Sequence, residues 1–86
     1  MADGGVACGL PRASAIQYAA QMMLGTAKIV LETNQHPGVL KDSVCSPAGS
    51  TIQGVRTLEE CSMRAAVFDA VIAAYEKNVE LKKASD

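Results

Sequence analysis

Residues 11–33, PRASAIQYAAQMMLGTAKIVLET, decide the fold of this chain. The polar residues of this stretch recur at helical spacing and form one narrow stripe: Ser14, Gln17, Gln21, Lys28 and Glu32. Almost all other positions are apolar, which is typical of a helix buried around most of its circumference. Pro11 suits the first helical position, where its missing N–H leaves no gap. An 86-residue chain has little with which to cover such a helix, so we expect a second copy to cover it.

Helical patterns also flank this stretch on both sides. The predicted elements are, in order, residues 1–8, residues 11–33, a short helix or turn over 39–44, a helix from Ser50 or Thr51 to about Glu60, and a last helix from Met63 to about Lys83. Gly9, residues 36–38 and residues 61–62 separate them, with Ser62 as an N-cap. Residues 84–86 should fray. Because no stretch alternates polar and apolar residues as a strand does, we predict an all-α fold.

Composition and charge narrow the classes of function. Eight basic and nine acidic residues are scattered along the chain, so it lacks the basic face that nucleic acid requires. No apolar run approaches the 18 or so residues of a membrane span. Cys8, Cys45 and Cys61 show no Cys-x-x-Cys spacing and indicate reduced thiols of a cytoplasmic protein, or of one in an organelle matrix. The sole histidine, His36, has no partners at metal-ligand spacing, so we expect no metal site. A lone loop histidine could act as a general acid or base, but it more often makes a structural hydrogen bond.

Residues 46–53, SPAGSTIQ, hold the candidate site. Ser50 and Gln53 have the spacing of a capping box, in which the hydroxyl accepts the amide three residues on and the glutamine side chain reaches back. A helix start also presents unpaired N–H groups and partial positive charge, which bind anions. The hydroxyls of Ser50 and Thr51 can donate to the same ligand. Most such caps serve only their own helix, so the residues alone leave a structural cap and a small-anion site open.

The chain contains several distinctive segments: residues 9–12 (GLPR), 31–33 (LET), 36–42 (HPGVLKD), 46–55 (SPAGSTIQGV), 58–59 (LE), and the stretch from Met63 to Leu81. In their order and spacing, these segments resemble the C-terminal part of the pyrroline-5-carboxylate reductases. The resemblance covers essentially the whole chain. It implies an enzyme of proline biosynthesis that reduces 1-pyrroline-5-carboxylate to L-proline with NADPH or NADH. It also implies a C-terminal helical domain that dimerises by interleaving its helices with a second copy, and dimers that assemble further into rings.

The same resemblance implies a division of labour within the enzyme. An N-terminal Rossmann domain holds the dinucleotide, and we expect residues 1–86 to be a fragment without that domain, its first helix truncated. No cofactor-binding residue is expected in this chain. The substrate carboxylate is assigned to four residues, and among them Thr51 is the catalytic candidate because its hydroxyl is nearest the ring nitrogen of the substrate. The four are Ser46, Gly49, Ser50 and Thr51.

Three positions depart from the pattern of the family. Ala48 stands where Gly is frequent, Ser50 stands where Thr is frequent, and residues 61–62 replace a frequent Gly pair. Ser50 keeps a hydroxyl, and Ala48 restricts the backbone without removing the helix start. The alternative to the reductase is a non-enzymatic helical dimerisation module, in which Ser50 and Thr51 form only a cap.

Overall fold

The computed structural model of the chain describes residues 1–85, and this range contains only α-helices and the loops between them. The helices are α1 (Ala2–Ala7), α2 (Arg12–Thr33), α3 (Pro37–Val44), α4 (Ser50–Glu60) and α5 (Met63–Ser85). No strand occurs between residues 1 and 85. The prediction of an all-α fold is therefore confirmed, and every predicted helix is present.

The chain divides into two compact units, of which the first is Met1–Asp42. Here α1 packs against α2. The Gly5 carbonyl accepts the Leu10 N–H at 3.0 Å, and a Cβ on Gly5 would lie only 3.3 Å from the Cβ of Ala15. The missing side chain thus lets the two helices approach closely, and Ala15 is 3% exposed. Gly9 turns the chain between them with a φ of 107°, as a left-handed glycine after a helix commonly does.

The second unit begins at Ser43 and contains α4 and α5. These helices meet at a corner made by Cys61 and Ser62, which confirms the predicted break. The Ser62 carbonyl accepts the Ala66 N–H at 3.0 Å, so Ser62 occupies the N-cap position of α5. The corner is spanned by an ion pair in which Arg64 Nη2 lies 2.7 Å from Glu59 Oε2.

The start of α2 differs by one residue from the prediction. Pro11 is the N-cap and not the first helical residue, because its ψ of 143° is extended and the helix begins at Arg12. The far end is capped by Asn34, which adopts a left-handed φ of 54° and donates its N–H to the Val30 carbonyl at 3.1 Å. A short polar side chain tolerates this conformation better than most others do.

The predicted break at residues 36–38 is shorter than expected. Pro37 and Gly38 form the first turn of α3 rather than a linker. The physical reason is a side-chain cap: Gly38 donates its N–H to His36 Nδ1 at 2.9 Å. Pro37, as the first helical residue, has no N–H that would need a partner.

The last helix, α5, runs two residues past its predicted end at Lys83. Ala84 and Ser85 were expected to fray and are instead helical. The Ser85 hydroxyl donates to the Leu81 carbonyl at 3.0 Å and ties the last turn together. Asp86, the third residue expected to fray, lies outside the described residues.

Large apolar side chains of both units are exposed in the single chain. Ala15 is the one buried hydrophobic residue among residues 1–85. On α2 the exposed large side chains point in several directions around the helix: Ile16, Tyr18, Met22, Met23, Leu24, Ile29 and Leu31. On the middle of α5 they are Val67, Phe68, Val71, Ile72 and Tyr75. Within the described part of the chain, no helix has the length and hydropathy to cross a membrane.

Candidate functional site

The residues before α4 form a tight turn. Gly49 donates its N–H to the Ser46 carbonyl at 3.0 Å, which closes a four-residue turn. Pro47 occupies the second position and Ala48 the third, with a φ of 59°. Proline followed by a positive φ is the pattern of a type II turn, whose third position usually holds glycine. The turn delivers the chain directly to the first residue of α4.

The predicted capping box of Ser50 and Gln53 is wrong. Gly49 is the N-cap of α4, with an extended backbone of φ −76° and ψ 173°, and Ser50 is already the first helical residue. A hydroxyl at that position lies one residue too far along the helix to accept the N3 amide in the N-cap manner. Because Gly49 has no side chain, α4 begins without a side-chain cap hydrogen bond.

Gly49 is also constrained by its neighbour in the turn. A Cβ built on Gly49 would collide with Ser46 Oγ and would lie 3.2 Å from the Ser46 carbonyl oxygen. The space that another residue would fill at the N-cap is therefore taken by the Ser46 side chain. This places a hydroxyl beside the backbone at the start of α4.

The four predicted site residues thus lie on one turn and on the first turn of one helix. Ser46, Ser50 and Thr51 are exposed, and Gly49 is partly buried. No acidic residue stands in the first turn of α4, so nothing there offsets the positive end of the helix dipole. Backbone amides and hydroxyls in this arrangement can bind a carboxylate. The turn and helix start contain no group that can store or deliver a hydride.

Three other polar side chains, those of His36, Lys41 and Asp42, make local contacts. His36 accepts the Gly38 N–H through Nδ1, in agreement with the structural interpretation of this histidine. Lys41 and Asp42 form a local ion pair of 3.2 Å. Cys8, Cys45 and Cys61 are free thiols. Across residues 1–85, no cluster of three or more His, Cys, Asp or Glu side chains is arranged to hold a metal ion.

A groove of about 450 Å³ lies at the corner of α4 and α5, away from the predicted site. Its lining is Glu59, Ser62, Arg64, Ala65, Phe68 and Asp69, and none of the four predicted site residues borders it. Hydrogen bonds to Glu59, and then the charge of that carboxylate, raise the pKa of Arg64 above its ordinary value. An arginine guanidinium is charged at every physiological pH even without this shift, so Arg64 does not change its charge there.

Sequence patterns did not predict two features of the structure. Glu59 and Arg64 lie on different helices, so the spacings of three and four residues that pair charges within one helix do not predict this ion pair. Asn34 was given no role, although an asparagine directly after a helical pattern is a recognised left-handed helix end. Neither residue belongs to the predicted site.

Comparison with known proteins identifies one family along nearly the whole chain. Residues 1–81 match the family described as "Pyrroline-5-carboxylate reductase dimerisation". Pyrroline-5-carboxylate reductase of Escherichia coli K12 is 55% identical over 83 residues, and that of Methanosarcina acetivorans is 58% identical over 83 residues. Both alignments cover 96% of this chain and 31% of the relative. The chain thus spans about a third of the length of these relatives.

Solved structures agree with the sequence relatives. A Plasmodium falciparum pyrroline carboxylate reductase with NADP bound superposes with a TM-score of 0.83 at 37% identity, over 88% of this chain and 29% of that one. The 1-pyrroline-5-carboxylate reductase of Streptococcus pyogenes gives a TM-score of 0.77 at 36% identity, over 80% of this chain and 27% of that one.

Proposed function

The chain belongs to the pyrroline-5-carboxylate reductase dimerisation family, and from that membership we propose that it is the C-terminal helical domain of an enzyme that reduces 1-pyrroline-5-carboxylate to L-proline, in proline biosynthesis, with NADPH or NADH. The observation that carries the proposal is the 55–58% identity to two such reductases across 96% of the chain. Because the chain spans 31% of each relative, the proposal assigns dimerisation and substrate binding to residues 1–86. It assigns the redox chemistry to the rest of the enzyme.

A dinucleotide does not fit the residues of this chain. Its phosphates are usually held by a glycine-rich turn between a strand and a helix. Residues 1–85 contain no strand that could precede such a turn. We therefore assign NADPH or NADH to an N-terminal Rossmann domain, where it supplies the hydride for the C=N bond of the substrate. The NADP bound to the Plasmodium falciparum relative supports this cofactor class.

The substrate carboxylate is assigned to Ser46, Gly49, Ser50 and Thr51. Three observations support the assignment: the uncapped start of α4, the absence of acidic residues from its first turn, and the exposure of all three hydroxyl side chains. The free backbone amides at a helix start point toward a bound anion, and the helix dipole favours its negative charge. In this proposal the site orients the ring, and Thr51 is the hydroxyl nearest the ring nitrogen.

The exposed apolar faces of α2 and α5 are, in this proposal, covered by a second copy of the chain. Full burial of a large apolar side chain contributes roughly 1.5–3 kcal/mol. The five apolar residues in the middle of α5 are 40–67% exposed in the single chain, so burying their remaining surface contributes about 4–9 kcal/mol in total, which is comparable to the net stability of a whole domain. We propose a homodimer with interleaved helices, which in the full enzyme assembles further into a ring.

We also propose a cytoplasmic location for the enzyme. Cys8, Cys45 and Cys61 are all free, and unpaired thiols are typical of proteins in reducing compartments.

A chimera tests the proposed function most directly. The matching region of the Escherichia coli relative is replaced by residues 1–86, and the oxidation of NADPH is followed with 1-pyrroline-5-carboxylate as substrate. We expect activity within about tenfold of the parent enzyme. A folded, dimeric chimera without activity would favour the alternative, a non-enzymatic helical dimerisation module. Protection of the Ser50 and Thr51 amides from hydrogen exchange by L-proline separates the same two functions by a second route.

A further inference from the structure

Three residues other than glycine adopt a left-handed backbone in the described part of the chain: Asn34, Ala48 and Ser62. Asn34 ends a helix, and asparagine is one of the few residues whose short polar side chain suits this conformation. Ser62 precedes a helix. Ala48 has no polar side-chain atom. It therefore carries the full steric clash between its Cβ and the backbone at its φ of 59°.

The side chain of Ala48 does not compensate for this strain by packing. It is exposed, so its methyl group contributes nothing to a core. The turn is closed by one backbone hydrogen bond, from Gly49 to Ser46. Any relaxation of Ala48 toward negative φ rotates the peptide that leads into Gly49, the N-cap of α4.

The strained residue stands immediately before the proposed substrate site. Ser46 and Gly49 lie on either side of it in the same turn, and Ser50 and Thr51 follow as the first two residues of α4. The direction in which Ser46 and the first α4 amides point thus depends on the conformation of residue 48. No other left-handed residue of the described chain lies within this segment.

We propose that Ala48 is a positioning residue that sets the affinity for the substrate carboxylate, by leaving only a fraction of molecules with the turn in its binding conformation. The inference rests on the proposed function. A ligand that binds one of two conformations has its apparent dissociation constant raised by the inverse of the fraction in that conformation. Once the substrate is bound, the turn is in the competent conformation, so the catalytic step itself is unaffected.

The substitution Ala48→Gly tests this inference in the full enzyme or in the chimera. Glycine adopts the left-handed conformation without the clash. We expect the KM for 1-pyrroline-5-carboxylate to fall by up to about fivefold, the ratio that corresponds to about 1 kcal/mol at about 1.4 kcal/mol per tenfold. The kcat and the KM for NADPH should not change, and the dissociation constant of L-proline should fall in parallel. Ala48→Val should raise the KM, since a β-branched residue resists positive φ more strongly.

Ser62→Gly is the matched control. It relieves the same backbone strain at a φ of 59°, but at the corner of α4 and α5. Both glycine variants should raise the Tm, and only Ala48→Gly should lower the KM. An unchanged or higher KM in a folded Ala48→Gly enzyme would overturn the inference while leaving the reductase assignment intact. A wild-type enzyme without activity would overturn both.

Discussion

At Gly49 the missing side chain matters more than backbone freedom. Its φ of −76° and ψ of 173° are open to any residue. Glycine fits here because Ser46 Oγ occupies the place of a Cβ, so a larger residue would displace that hydroxyl from its position. The two residues therefore act as a pair at the start of α4, and a change at one should depend on the identity of the other.

A double-mutant cycle measures that dependence. Gly49→Ala should destabilise the protein by roughly 1 kcal/mol, because the new methyl group forces the Ser46 hydroxyl out of its rotamer. Adding Ser46→Ala removes Oγ and should recover part of this loss, giving a coupling of about 0.5 kcal/mol or more. The free energy of unfolding is measured by urea titration at one fixed protein concentration. Losses that simply add in the double variant would contradict the steric pairing.

The substitution Thr51→Ala gives the most specific functional prediction for a single residue. A lost hydrogen bond to a charged group is worth roughly 1.5–3 kcal/mol, so Thr51→Ala in the full enzyme should lower kcat/KM by about 10- to 150-fold. The Tm and the affinity for NADPH should change little, because Thr51 makes no cap hydrogen bond and the dinucleotide is assigned to another domain.

Thr57→Ala is the matched control for Thr51→Ala. Thr57 lies on the same helix, and its hydroxyl donates to the Gln53 carbonyl at 3.1 Å, so this variant loses a hydroxyl of purely structural use. It should leave kcat/KM unchanged. A large loss of stability in Thr51→Ala, with normal kcat/KM per folded enzyme, would make Thr51 a structural residue.

The helices themselves could be predicted from sequence, whereas their ends could not be predicted to the residue. A helix such as α2 or α5 is predicted from the pattern of polar and apolar residues over many positions, so an atypical residue at one position does not change the prediction. An end depends on one residue. The ψ of Pro11 excludes it from α2, the side chain of His36 extends α3 to include Pro37, and Gly49 takes the capping position that Ser50 was expected to fill.

A pair of aspartate substitutions tests the assignment of the α5 face to an interface. Val71 is 65% exposed in the single chain. If it stays exposed, Val71→Asp should change stability by no more than about 0.5 kcal/mol. We expect instead a loss of at least about 2 kcal/mol and dissociation of the dimer, because the proposed interface buries this residue without a partner for the charge. Analytical size exclusion and thermal denaturation give both readouts.

Ala73→Asp is the control on the same helix. Ala73 lies on the side that carries Asp69, Glu76 and Glu80, at helical spacings of four, three and seven residues respectively. The same new side chain there should leave the dimer intact. Equal behaviour of the two variants would mean that the Val71 face is not the interface.

The family could be recognised from sequence because matching segments occur in order along the whole chain. The match of residues 1–81 to the family confirms this recognition. The location of the substrate site is a weaker inference. The residues at a helix start are similar in sequence whether the start binds a ligand or only caps its own helix, so the four site residues stay a prediction. Self-association is better supported, since the exposure of apolar side chains is a direct consequence of the fold.

The division of labour predicts that residues 1–86 alone have no reductase activity. No strand and glycine turn that could hold a dinucleotide occur within residues 1–85. Purified chain incubated with NADPH and 1-pyrroline-5-carboxylate should give no oxidation of NADPH above the rate without protein. Activity of the isolated chain would contradict the assignment of the cofactor to another domain.

Sedimentation equilibrium of the isolated chain, together with circular dichroism, tests the central claim that the apolar faces of α2 and α5 exist to be covered by a second copy. At low micromolar concentration we predict a helical species of twice the 9.0 kDa chain mass. Its Tm should rise with protein concentration, because an obligate dimer unfolds and dissociates together. A monodisperse, fully helical 9.0 kDa monomer with a concentration-independent Tm would contradict the account.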